Sequence, residues 1–436
     1  MQLLEQIKSI NFPVPLPPTL LAVEQRFDAP RLTDISGVVR RSLEDGELLG
    51  QIKPGDSIAV GVGSRGIANL PLIVRTVIEH LKSLNAQPFV FPAMGSHGGA
   101  TATGQQTMLA ELGITSETVG VDIRPTMEVT QIARIPDGPA LFQDVVSAAA
   151  DHTLLINRIK PHTDFRADIE SGLTKMAVIG LGKQRGAEAM HAWGAEGFKR
   201  FLPLAACLYE SSSNILGGLA ILENAYDETA EIVALAASEI GGVREAKLQE
   251  RAKALMPGLP FPEIDALIIR QIGKDISGTG MDTNIVGRLM IPRQPENFGQ
   301  IDIAVIAVLD LTDRTHGNGA GIGLANVTTA RVAQKIDWNA TYTNALTTGI
   351  FGMQRVSLPI TMSNDKRAVE VAVRGCGQAY ELACLVFIED TLSLDRFWVS
   401  PSLRTDVDSH PWLSIVEETP LEFTPAGVMT SPWRLI

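Results

Sequence analysis

The sequence predicts an α/β protein of two α/β domains with a cleft between them and a mainly parallel sheet in the N-terminal one. Three observations carry this. The chain has 436 residues, more than one ordinary hydrophobic core organises. Its first half alternates strand-like and helix-like segments, the rhythm of a parallel sheet with helices on its faces. Finally, Met256-Pro-Gly-Leu-Pro-Phe-Pro262 places three prolines in seven residues, which breaks both periodic structures. The expected domains are residues 1–255 and 263–436, with the extreme C-terminus a candidate to return to the first.

The elements follow in order. Asp56-Ser-Ile-Ala-Val-Gly-Val-Gly63 reads as a buried strand entering a glycine turn, and Leu70 to Ser83 as an amphipathic helix. Pro88-Phe-Val-Phe-Pro-Ala93 is the next strand, closed by Met94-Gly-Ser-His-Gly-Gly99, and a helix from Thr103 to Leu112 follows. A third buried strand, Thr153-Leu-Leu-Ile-Asn157, leads into Arg158-Ile-Lys-Pro-His-Thr-Asp-Phe165. Ligands of such sheets sit at the carboxyl ends of strands, so two histidine-bearing loops fall where a site is expected. Beyond the prolines, Ile264-Asp-Ala-Leu-Ile-Ile269 and Ile301-Asp-Ile-Ala-Val-Ile-Ala-Val308 read as strands. Glycine-rich Lys274-Asp-Ile-Ser-Gly-Thr-Gly-Met-Asp282 lies between them.

A net charge of −12 argues against nucleic-acid and anionic-membrane partners, which want a basic face. It leaves room for a small anionic substrate held by a few local cations. The first eleven residues carry Glu5 and Lys8 and lack the apolar core of a signal peptide. No apolar run approaches the roughly 20 residues needed to span a bilayer. The expected compartment is therefore the cytoplasm. Cys207, Cys376 and Cys384 are widely spaced and odd in number, which suits neither a disulfide framework nor a CxxC metal knuckle. They read as buried small hydrophobes, so thiolate ligands for a metal would not come from this chain.

Of seven histidines, four stand beside glycine, proline or turn residues: His97, His162, His191 and His316. His80, His152 and His410 read as structural. Imidazole, with an unperturbed pKa of about 6.5, suits proton transfer near neutrality. Two such groups on opposite faces of one carbon could serve both enantiomers of a substrate.

Gly95-Ser-His-Gly-Gly-Ala-Thr101, Lys160-Pro-His-Thr-Asp-Phe165, Ser171-Gly-Leu-Thr-Lys175 and Ala189-Met-His191 together resemble the lactate racemase family, over roughly residues 50 to 200. The resemblance implies a nickel-pincer nucleotide, a pyridinium bisthiocarboxylate mononucleotide with nickel, attached covalently as a thioamide to Lys175. It implies His191 as the nickel ligand, sixteen residues on, and His97 and His162 as the acid/base pair. It implies hydride removal from C2 of a 2-hydroxy acid to the cofactor and return on the opposite face, and cofactor-synthesis enzymes as partners. The segment from His162 to Lys175 is longer than the family's compact approach to its lysine and carries Asp164, Asp168 and Glu170. Lys183, in Gly180-Leu-Gly-Lys183, is a competing anchor. Physics supports the set beside the resemblance. Lys175 stands among Leu173, Met176 and Val178, where a partly desolvated amine becomes a nucleophile, and imidazole is a common nickel ligand.

Weaker signals complete the reading. Gly63-Ser-Arg-Gly66 precedes a helix, so Ser64 and Gly66 could cradle a phosphate of the cofactor and Arg65 a substrate carboxylate. Lys274 is a second cation for the carboxylate, and His316 and Asn318 could line the same cleft. Two alternatives stay open: a zinc-type metal-dependent hydrolase using the same histidines, and a cofactor-binding protein without turnover.

Overall fold

The computed structural model describes residues 2–45, 47–64, 66–296 and 301–433. The chain divides into two compact units, one of Asp28–Met256 and one of Met1–Phe27 with Pro257–Ile436. Both are α/β, so the expected two-domain α/β class holds.

The division after Met256 falls in the proline-rich segment, as read. The start of the first domain is corrected. Residues 1–27 belong with the C-terminal unit because strand Thr19–Gln25 pairs antiparallel with Arg396–Val399 on one side and Leu413–Pro420 on the other. Leu20, Leu21, Ala22 and Val23 are all buried, and a strand apolar on both faces needs partners at both edges and cover on both sides. The extreme C-terminus does not return to the first unit as far as it is described: Met429–Ser431 pairs with Glu422–Phe423 in its own unit.

In the 28–256 unit a five-stranded sheet runs in the order 87–92, 57–62, 152–158, 215–223, 229–236. The first four strands are parallel, and the last closes an antiparallel hairpin. Val60 lies beside Val90 and Leu154 in register. Val60, Val62, Leu154, Ile156, Leu219 and Ile221 pack with Ile73, Val74, Val77 and Leu81 of helix Leu70–Ser83 and with Val39 and Leu43 of helix Ile35–Glu44. Each such side chain contributes roughly 1.5–3 kcal/mol of burial free energy. The chain steps outward from 57–62 to 87–92, then reverses to add 152–158 on the other side. That reversal makes the carboxyl ends of 57–62 and 152–158 a topological switch point, the place where such sheets bind ligands.

The other unit carries an eight-stranded sheet in the order 360–362, 327–329, 302–311, 263–272, 385–388, 396–399, 19–25, 413–420. Its first five strands are parallel. Trp398, Phe387 and Leu20 are among the buried residues of one of its faces.

The three cysteines form no disulfide, but they are not the buried hydrophobes expected: Cys207 is exposed and Cys376 and Cys384 are half-buried. Helix Gly194–Ser212 buries Phe198, Phe201, Leu202, Ala205, Ala206 and Tyr209, and position 207 lies off that stripe. Among the described residues no helix is long and apolar enough to cross a membrane.

The division makes a direct prediction. A fragment of residues 28–256 should unfold in a single cooperative transition by circular dichroism. A fragment of residues 257–436 lacks a strand with neighbours on both sides and should not; cooperative unfolding of the latter would contradict the role given to Thr19–Gln25.

Candidate active site

Three parallel strands of the 28–256 unit end at one sheet edge, and each delivers part of the expected set. Strand Ser57–Val62 runs into Gly63 and Ser64, Gln87–Pro92 into the His97 loop, and His152–Arg158 into the His162 loop. The sheet order therefore explains why histidines 65 residues apart in sequence share an edge.

From Ile159 to Ser171 the backbone forms neither helix nor strand, so side chains must meet its polar groups. The buried Glu170 carboxylate accepts from the backbone N–H of His162 at 2.8 Å and of Ala167 at 3.1 Å, and Lys253 pairs with it at 2.7 Å. Gln249 Oε1 accepts from the N–H groups of Glu170 (3.1 Å) and Ser171 (3.2 Å). Glu245 accepts from Thr174 N at 3.0 Å, Thr174 Oγ1 at 2.6 Å and Gly241 N at 2.8 Å. Burial pushes the Glu245 carboxyl above its ordinary pKa, against these hydrogen bonds. Gly172 has φ +84, and a Cβ there would lie 2.5 Å from Glu245 Oε1, so the turn into Lys175 requires glycine.

Lys175 ends the short helix Gly172–Lys175, continued by a π-helical stretch, Met176–Gly180, and then by helix Lys183–His191. Its Nζ lies 2.5 Å from His162 Nε2. The other ring nitrogen of His162 accepts from Asp164 N–H at 3.0 Å, and Arg166 donates to the His162 and Phe165 carbonyls. A row of rings joins the two imidazoles: His162 to Phe165 at 4.5 Å, Phe165 to Phe198 at 5.4 Å, and Phe198 edge-on to His191 at 4.9 Å.

Desolvation, with the Lys175 charge second, holds the His162 pKa well below its ordinary value of 6.5. The same two causes, in the same order, lower His191. His191 is itself exposed, with the Phe198 ring packed against its imidazole. Asp164 opposes the shift at both histidines. Imidazoles held neutral in this way can accept a proton or ligate a metal.

The rest of the expected set is distributed as follows. His97 is exposed, and its Nδ1 shares a hydrogen bond with Ser64 Oγ, so Ser64 meets a catalytic candidate rather than standing apart in a phosphate cradle. The His97 loop abuts the π-helical stretch: Gly95 N reaches Gly180 O at 3.4 Å. Gly66 is exposed, and Arg65 lies outside the described residues. Lys274 belongs to the other unit, where its ammonium donates to Gly278 O at 2.6 Å. His316 and Asn318 are in that unit too, His316 with φ +49 and Asn318 Oδ1 accepting from Ala320 N at 3.1 Å. Lys183 is fully buried, pairs with Asp144 at 3.1 Å and donates to Gln105 Oε1 at 3.1 Å and to the Pro92 carbonyl. Its amine is committed to the interior, which separates it from Lys175 as an anchor.

Glu170, Glu245, Gln249 and Lys253 were not expected in the site. A signal existed: Glu245, Gln249 and Lys253 recur at every fourth position of helix Val243–Leu255, one polar face of a helix. Nothing local in the sequence says what that face meets.

Among the described residues no three His, Cys, Asp or Glu side chains form a metal-binding group. No protein-family model matches the chain. No curated protein matches it either. A crystal structure of a Thermotoga maritima protein from a structural genomics consortium is similar over 65% of this chain and 72% of its own, at 13% identity and a TM-score of 0.44.

Two outcomes follow. Lys183→Met strips the buried Asp144 of its ion-pair partner, which costs about 3–5 kcal/mol, whereas Lys175→Met should change stability far less; denaturant unfolding of both variants measures the difference. The second concerns pH. Because folding lowers the His162 pKa, its neutral form is favoured in the native state, and that contribution is complete above the unfolded value near 6.5 and lost as pH falls below it. His162→Gln should flatten the loss of melting temperature below pH 6.5; an unchanged slope would count against the shift.

Proposed function

We propose that this protein is a racemase or epimerase of a 2-hydroxy acid that works with a nickel-pincer nucleotide carried on Lys175. One observation carries the reading. Residues 162, 175 and 191, spread over three elements, form one coupled group: Lys175 Nζ meets His162 Nε2 at 2.5 Å, and the Lys175 charge acts on His191. The donor set fits the cofactor. Lys175 supplies a part-buried primary amine of the kind a thioamide needs, and His191, one of two imidazoles held toward the neutral form, supplies the one nitrogen ligand. Sulfur ligands would then belong to the cofactor.

When bound, the pincer nucleotide supplies the hydride acceptor, and the protein supplies position and electrostatics. Lys175 would hold the group, and His191 would be its nickel ligand. His162, kept neutral by burial, accepts the substrate hydroxyl proton for one enantiomer, and His97, turned by Ser64, does so for the other. Asp164 steadies the imidazolium that results. Arg65 is the proposed carboxylate anchor, and Ser64 and Gly66 edge the cofactor. The substrate is a small anionic hydroxy acid, the partners in maturation are cofactor-synthesis enzymes, and the compartment is the cytoplasm. A zinc hydrolase would need about three protein donors, a set absent among the described residues.

Coexpression with cofactor-synthesis enzymes, then intact mass and peptide mapping, tests this. The adduct should fall on Lys175 and not on Lys183; His191→Ala should keep the adduct and lose nickel. With a racemised substrate in hand, deuterium at C2 should stay with the product, and His97→Ala or His162→Ala should each slow turnover by roughly 10²–10⁴-fold. Holoprotein that turns over no hydroxy acid would favour the binding protein without turnover. Equal activity without nickel, with C2 deuterium washed out, would refute the mechanism.

A further inference from the structure

We propose that Gln105 is a positioning residue for His97, held in place by the buried pair Lys183–Asp144; this rests on the acid/base role assigned to His97 above. His97 sits in a glycine-rich loop with an exposed ring, so its aim depends on how firmly its backbone is fixed. Gln105, in helix Ala102–Glu111, is fully buried. Its Nε2 donates to the carbonyl of Gly95 at 2.9 Å and to that of His97 at 3.3 Å. One amide thus grips the loop at His97 and two residues before it.

The orientation of that amide is itself determined. Lysine has donors only, so Lys183 Nζ, 3.1 Å away, selects Oε1 and turns Nε2 toward the two carbonyls. Lys183 cannot swing away. It also pairs with Asp144 and donates to the Pro92 carbonyl at the end of the strand that enters the loop. Asp144 is fixed in turn by accepting from Val146 N and Ser147 N, each at 2.9 Å. The result is a chain of buried polar contacts running from Asp144 through Lys183 and Gln105 to the His97 carbonyl. The loop can lie on the first turn of the helix because both contact points are glycine: a Cβ on Gly104 would lie 1.9 Å from Gly98 O. With Gln105 fixing the main chain and Ser64 the ring, His97 has both its position and its tilt set.

The test uses Gln105→Met, which keeps volume and removes the two hydrogen bonds to the loop together with the acceptor for Lys183, and Gln105→Glu, which keeps an acceptor for Lys183 and removes the donor. In the apoprotein, both should shift the His97 ring NMR signals and change the rate at which diethylpyrocarbonate modifies His97. In holoprotein, kcat should fall about 10- to 100-fold, the usual scale for misplacing a group by about 1 Å, with KM nearly unchanged. Gln105→Glu decides the matter if Gln105→Met does not fold. Unchanged His97 signals and reactivity in the folded variants would overturn the assignment. If His97 responds but wild-type holoprotein turns over no hydroxy acid, the positioning stands and the proposed function is what fails.

Discussion

A thirteen-residue segment, 159–171, crosses the sheet edge with no hydrogen-bonded ladder of its own, yet it carries His162 and leads straight into Lys175. Everything proposed for the site depends on that segment having a single conformation. The acceptors that impose it come from helix Val243–Leu255: Glu245 and Gln249, both fully buried, take the N–H groups of residues 170, 171 and 174. Such groups left without acceptors in the interior would cost about 1–3 kcal/mol each. Glu170 then repeats the device one step inward, receiving His162 N while Lys253 balances its charge. The imidazole is thus two hydrogen-bond steps from a rigid helix, and its distance from Lys175 is a consequence of that scaffold.

This arrangement also explains why carboxylates crowd a site expected to handle anions. Glu170 and Glu245 spend their lone pairs on backbone N–H groups, so their charge is turned inward. Asp164 differs, because it acts on His162 and His191 and offsets part of what desolvation and Lys175 do to them.

Much of this was legible in the sequence. Apolar strands bounded by glycine and proline mark themselves by composition, so strands 57–62, 87–92 and 152–158 and helix Leu70–Ser83 emerge close to their observed bounds. The convergence of His162, Lys175 and His191 was expected only through a family resemblance, because spacing along a chain does not fix distance across a turn. Strand Thr19–Gln25 was illegible for a related reason. Its partners lie more than 370 residues away, and a short apolar run after a proline-rich stretch has no local feature that assigns it to one sheet or the other. Cys207 was misjudged since residue type sets an average burial, whereas helix phase sets the actual one.

The path from Lys175 to His191 shows how strongly local backbone controls the site. Sixteen residues of straight α-helix would separate the two by about 24 Å, too far for Lys175 to influence the imidazole as it does. The π-helical stretch Met176–Gly180 and the turn at Gly182 break that line. Helix Lys183–His191 then lies close against the stretch, an approach that leaves no room for a larger residue: a Cβ on Gly182 would lie 2.6 Å from Val178 O. The turn also forces Lys183 to φ +52, a conformation that costs a non-glycine residue of order 1–3 kcal/mol. Glycine at this position would relieve the backbone but would forfeit the ammonium that pairs with Asp144 and orients Gln105. The lysine side chain at this bend instead ties Asp144 to Gln105 and to the Pro92 carbonyl, at the end of the strand that enters the His97 loop.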